Sequence, residues 1–187
     1  MSQGTDPSNR PSILIVDDTP ENIMLMNGLL RDQYRTRVAN GGERALKIAL
    51  MDPKPDLILL DIMMPDMDGF EVCRRLKANP DTAGIPVIFL TARSEIDDEQ
   101  TGFDAGAVDY ITKPISPPIV MARVKTQLTL KAASDMLRDQ NSFLEEEVRR
   151  RTHEVEVIQD VTIMAMASLA ETRDNETGNH IRRTQNY

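Results

Sequence analysis

Five short runs of Leu and β-branched residues punctuate the chain: ILIV at 13–16, TRVA at 36–39, LILL at 57–60, VIFL at 87–90 and VDYI at 108–111. Helical patterns separate them, at Pro20 to Asp32 behind Thr19 as a cap, Gly42 to Met51, Phe70 to Ala78 and Glu95 to Ala105. A strand that is apolar along its whole length needs cover on both faces, and amphipathic helices above and below a parallel sheet supply it. This alternation predicts an α/β domain built on a five-stranded parallel sheet.

In an open parallel sheet, ligands gather just outside the carboxyl ends of the strands. The first run leads into Asp17 and Asp18, the third into Asp61, the fourth into Thr91 and the fifth toward Lys113. Three carboxylates, a hydroxyl and an ammonium are therefore expected on one rim. Carboxylates crowded together repel, and a divalent cation with oxygen ligands relieves them. Mg2+ suits a site of one or two carboxylates, water and a phosphoryl oxygen. Taken singly, Asp17, Asp18 or Thr91 could each cap a helix, and Lys113-Pro114 could be an ordinary loop. Their joint placement is what points to a site. DMDG at 66–69 lacks the further acids and closing Glu of a calcium loop, so it reads as a turn. No GxGxxG follows the first run and no GxxxxGK[ST] occurs, which removes dinucleotide binding and P-loop chemistry.

The formal net charge of −8 offers no basic face for a phosphate backbone, so direct nucleic-acid binding is not expected. Cys73, the only cysteine, sits at helical spacing in FEVCRRLKA and reads as a small core residue in a reducing compartment. No apolar stretch approaches the ~20 residues of a membrane span, and the polar MSQGTDPSNRPS does not resemble a signal peptide. The expectation is a cytoplasmic protein with a flexible tail at 1–11.

From Ile119 to about Arg173 there is neither Gly nor Pro, which predicts one long helix or two in near succession. Leu130, Leu137, Leu144, Arg151 and Ile158 recur every seven residues, with Asn141, Val148, Val155 and Leu169 on the offset seam. Such a register predicts a coiled coil and a parallel homodimer. Arg151 interrupts the stripe, and the alternative is a solvated single helix held by charge pairs such as those in EEEVRRRTHEVE.

VDD (16–18), LLDIMMPDMDG (59–69), LTA (90–92) and DYITKPI (109–115) together resemble the receiver domain of two-component response regulators, over roughly residues 12–133. The resemblance implies a flavodoxin-like fold of strand order 2-1-3-4-5, with Asp61 accepting a phosphoryl group from a histidine kinase or a small donor. It also implies that Asp18, Asp61 and the Met63 carbonyl hold Mg2+, with Asp17 acting through water. Lys113 would pair with the acceptor carboxylate and then with phosphoryl oxygens, and Thr91 would donate a hydrogen bond to them. Tyr110 matches the family's switch aromatic and Lys113-Pro114 its cis peptide. The phosphoryl group would bias a surface formed by the 95–105 segment and the fifth strand.

SLAETRDNETGNHIRRTQNY (168–187) resembles the opening of HD-GYP domains, which hydrolyse cyclic diguanylate at a two- or three-metal site. Glu176 and His180 match early metal ligands of that family; their i, i+4 spacing suits one helix face, although Gly178 lies between them. No His-Asp dyad and no Gly-Tyr-Pro occurs in the chain. The expected organisation is a tail (1–11), a receiver (12–133), a coiled-coil signalling helix (134–167) and the truncated start of an HD-GYP output domain (168–187). Fe or Mn would belong only to the complete output domain, and with it the phosphodiesterase activity. Two rivals differ in class: a receiver that acts as a dimerising adaptor without enzymatic output, and an Asp-nucleophile phosphatase. Ile62 and Met63 after Asp61 do not provide the DxD of the phosphatase.

Overall fold

The structure, a computed structural model, describes residues 10–92 and 105–184, with backbone alone at 92 and 167–184. Its elements are β1 (Ser12–Val16), α1 (Pro20–Leu30), β2 (Arg35–Ala39), α2 (Gly42–Ala49), β3 (Leu57–Asp61), α3 (Gly69–Ala78), β4 (Val87–Ala92), β5 (Asp109–Lys113) and α4 (Pro117–Thr184). The five strands form one sheet in the order β2-β1-β3-β4-β5, and every neighbouring pair is parallel. This is the flavodoxin-like order. The helix expected from Glu95 to Ala105 lies outside the described residues except for Ala105, a buried turn residue.

Every residue of β1 and β3 is buried, because successive side chains feed two separate cores. Leu14 and Val16 of β1, Ile58 and Leu60 of β3, and Phe89 of β4 pack with Ala45, Ala49, Val72, Cys73 and Leu76 from α2 and α3. Ile13, Ile15, Leu57, Leu59, Ile88 and Leu90 point the other way, onto Met26 and Leu30 of α1 and Val120 and Val124 of α4. The strand order reverses between β1 and β3, since β1 leads outward to β2 while β3 leads the opposite way to β4. Helices covering the two directions fall on opposite faces, and a crevice opens at the carboxyl ends of β1 and β3.

Local chemistry sets the helix ends. Pro20 opens α1, where its missing N–H costs nothing. The expected Thr19 cap stands at the N-cap, but its hydroxyl donates to Asp18 instead of capping. α1 ends at Leu30 rather than Asp32, and the Gln33 and Tyr34 N–H groups beyond it both bond to the Leu30 carbonyl. α2 ends at Ala49, two residues before the expected Met51. In α3 the Asp68 carboxylate accepts from the Glu71 N–H at 2.7 Å, so half of the DMDG turn is a helix cap. Asp66, with φ 66°, supplies the left-handed residue that reverses the chain before it. Cys73 is fully buried, as its spacing suggested, and its thiol donates to the Ala105 carbonyl at 3.3 Å.

The chain divides into two compact units, Met1–Ser134 and Asp135–Tyr187. The second is helical through Thr184, and Gly178 does not interrupt it. Leu137, Leu144, Val148 and Ile158 are exposed there. Glu147 pairs with Arg150 and Arg151 at i+3 and i+4, the local support that a solvated helix surface allows.

Candidate functional site

Strand register brings the predicted residues to one edge. Asp61 ends β3 opposite Leu90 of β4; Thr91 lies one step further along β4 and pairs with Thr112, next to Lys113 on β5. Asp17 follows β1 directly, its N–H still bonded to the Ala39 carbonyl of β2 at 3.2 Å. Asp17, Asp18 and Asp61 each bring a carboxylate oxygen to within 4.8 Å of the others. The Lys113 ammonium donates to Asp61 Oδ1 at 2.8 Å and to Asp17 Oδ2 at 3.2 Å, although 52 and 96 residues separate the partners. The Lys113–Pro114 peptide is cis.

One ammonium faces three carboxylates, and the protonation of the site reflects that imbalance. Burial raises the Asp61 carboxyl above its ordinary value; the Lys113 hydrogen bond opposes this, and the charges of Asp17 and Asp18 add to the rise. Burial alone would lower Lys113, but its bond to Asp61 and the charges of Asp61 and Asp17 outweigh it, so the amine is held charged. Asp17 and Asp61 are buried while Asp18 is exposed, which leaves one side of the cluster open to water. The donors are all hard carboxylate oxygens, few enough to leave places for water. That set fits Mg2+, which keeps several waters and takes one or two carboxylates.

Of the other predicted residues, Thr91 is buried at the end of β4. Met63 lies in the β3–α3 loop with its side chain exposed. The loop is pinned at both ends, by the Ile62 N–H on the Leu90 carbonyl and by the Gly69 N–H on the Ile62 carbonyl. Tyr110 stands back from the rim on β5, its ring 5.5 Å from the Arg123 guanidinium carbon of α4. Asp109 ion-pairs with the same Arg123. Glu176 and His180 fall on helical backbone whose side chains lie outside the described residues.

Two residues that hold the site were not singled out from the sequence. Asn22, on the first turn of α1, donates its amide to both oxygens of Asp17, each at 3.0 Å. Gly69 opens α3 directly against the backbone of Asp61. The signal for Asn22 was available in the question of what satisfies a buried Asp17; for Gly69 it was the glycine closing the DMDG turn.

Comparison with known proteins agrees with this geometry. The family of response regulator receiver domains matches residues 13–125. A "probable cyclic di-GMP phosphodiesterase" of Vibrio cholerae serotype O1 is 53% identical over 176 residues, which cover 94% of this chain and 40% of that protein. Response regulator PleD of Caulobacter vibrioides is 43% identical over 131 residues, 70% of this chain and 29% of PleD. The chain thus spans well under half the length of either relative. Among solved structures, the receiver domain of a Syntrophus aciditrophicus histidine kinase superposes with a TM-score of 0.59 at 38% identity, over 64% of this chain and 90% of that one. A sensor histidine kinase receiver of Pseudomonas aeruginosa, solved with magnesium coordinated in its active-site cleft, gives 0.59 at 28% identity, over 64% and 98%. No helix among the described residues is long and apolar enough to cross a membrane.

Proposed function

The chain belongs to the response regulator receiver family of two-component systems, and from that premise we propose that Asp61 is its phosphoacceptor and that a cognate histidine kinase is the donor. The observation that carries this reading is the double ion pair of Lys113 with Asp61 and Asp17 at the mouth of the crevice. A carboxylate fixed at a strand end, flanked by an ammonium and two further acids, is aimed for in-line attack on phosphorus. An Asp61 oxygen forms the new P–O bond while the bond from phosphorus to the donor imidazole nitrogen breaks, and the nitrogen keeps the electron pair. Lys113 moves from the carboxylate oxygen to a phosphoryl oxygen, and the Thr91 hydroxyl donates to another. Asp18, Asp61 and the Met63 carbonyl would hold Mg2+, which supplies charge neutralisation on nucleophile and phosphoryl group alike.

The added dianion changes the charge beside Thr91 and Lys113, and Tyr110 with its Arg123 contact lies on the route from that rim to α4. Residues 134–167 act as a dimeric signalling helix. The 53% identity to the Vibrio cholerae protein, together with Glu176 and His180, supports an HD-GYP cyclic diguanylate phosphodiesterase as the output, its metal Fe or Mn. Cytoplasmic location follows from such a partnership.

The test is to incubate the protein with acetyl phosphate and weigh it intact. A single phosphoryl adduct is expected with Mg2+ and none with chelator or in Asp61→Asn. A full adduct in the Asn variant would refute the assignment.

A further inference from the structure

Asp17 is the most completely occupied carboxylate of the cluster. An ionised carboxylate offers about four lone-pair positions. On Oδ1 it accepts the Thr19 N–H at 2.8 Å and the Asn22 amide at 3.0 Å; on Oδ2 it accepts the Asn22 amide at 3.0 Å and Lys113 at 3.2 Å. Its side chain is 1% exposed. Asp18 is exposed and among the described residues accepts only the Thr19 hydroxyl, at 3.2 Å. Asp61 accepts Lys113 on Oδ1. The three acids are equivalent in chemistry and differ in how much of each is already bound.

We infer that Asn22 is the positioning residue that holds both oxygens of Asp17 away from direct coordination, so that Asp17 meets the cation through water and Asp18 and Asp61 ligate it directly. This deepens the metal-site reading above and rests on it. Thr19 and Lys113 between them occupy one position on each oxygen; the amide of Asn22 fills the second on both. Lys113 must leave when a phosphoryl group arrives, whereas Asn22 is anchored on α1 and has no reason to move. Two direct carboxylates with several waters is the set that Mg2+ favours. A third would suit a cation that dehydrates more readily, such as Mn2+. Asn22 therefore contributes to metal choice without touching the metal.

The experiment uses the full chain with Mn2+ as a paramagnetic probe, counting its bound waters by electron–nuclear double resonance in oxygen-17 water, with Mg2+ and Mn2+ affinities from calorimetry. Asn22→Ala removes both contacts. Asn22→Asp keeps the shape but turns a donor into a repelling acceptor, and it stands in if the Ala variant fails to fold. In each variant Asp17 is expected to enter the coordination shell, so Mn2+ loses one bound water. The ratio of Mn2+ to Mg2+ affinity should rise about tenfold, the low end of the change that an outer-shell partner makes in the metal affinity of a site. An unchanged water count, even with weaker binding or lower stability, would reduce Asn22 to a stitch between α1 and the sheet and overturn the inference. Wild-type protein that takes up neither cation would instead overturn the metal site itself, and the role of Asn22 with it.

Discussion

A Cβ placed on Gly69 would stand 2.3 Å from the carbonyl oxygen of Asp61 and 2.8 Å from Cα of Ile62. Both obstacles are backbone, so no side-chain rotation relieves them. The first residue of α3 is thereby seated on the end of β3, and the loop carrying Met63 is closed by the bond from the Gly69 N–H to the Ile62 carbonyl. Gly69→Ala is expected to cost about 1–3 kcal/mol in urea unfolding, the usual range for forcing a methyl group into a filled space. It should also abolish stable phosphoryl uptake, because the loop can relax only by moving Asp61 or Met63. A variant of wild-type stability with full uptake would refute this seating.

Lys113 binds where a cation and a phosphoryl group would both compete for it. Lys113→Gln removes the ammonium that occupies oxygens of Asp61 and Asp17. Mg2+ affinity, measured by calorimetry, should rise. Phosphoryl uptake from acetyl phosphate should fall about 10- to 100-fold, the worth of one charge-assisted hydrogen bond at ~1.5–3 kcal/mol. The opposite signs separate this role from general damage, which would lower both.

Cys73 contributes to the alkaline limb of the stability profile. Burial raises its thiol from 9.0 to about 11, against the charges of Lys77 and Arg74. Below pH 9 folded and unfolded chains both carry the proton, and the thiol adds no pH dependence. Between pH 9 and 11 only the unfolded thiol ionises, so the contribution is lost as pH rises, by about 2–3 kcal/mol across the window at ~1.4 kcal/mol per pKa unit. Urea unfolding of wild type and Cys73→Ala from pH 8.5 to 10.5 should show the steeper decline in wild type alone. Iodoacetamide should leave native Cys73 unmodified.

The two-faced strands and the convergence of Asp17, Asp18, Asp61, Thr91 and Lys113 were legible because each depends on where a strand ends, and hydropathy marks that point directly; the sheet order came only through the resemblance to receiver domains, since no strand's own pattern names its neighbours. Asn22 and Gly69 were not, for a different reason in each case. The partner of Asn22 is decided by how α1 docks across the β1 rim, a tertiary angle that no periodicity encodes. Gly69 read as an ordinary turn glycine; the contact that excludes a side chain is with Asp61, eight positions back and one layer away. Helix ends moved by two residues at Leu30 and Ala49, where backbone turns rather than Pro or Gly stop the helix. Gly178 shows the converse, a glycine inside a helix, which costs roughly 1 kcal/mol relative to alanine and does not by itself end the element.

The last prediction concerns the heptads. Leu137 is 61% exposed, Leu144 57% and Val148 64% in the single chain, and all three lie on the seam positions of one stripe. A second copy packed in parallel would bury them at about 1.5–3 kcal/mol per side chain, enough in sum for a stable dimer. Sedimentation should give a dimer for wild type and a monomer for Leu137→Asp with Leu144→Asp. The fold of the first unit should survive, because both residues lie beyond Ser134. Arg151 occupies the next position of the same stripe and pairs with Glu147 and Glu154 on its own helix. Burying it at a seam would cost desolvation that those surface pairs do not return. Arg151→Leu should therefore tighten the dimer, and a dissociation constant that weakens instead would show that the stripe at 137–151 is not the interface.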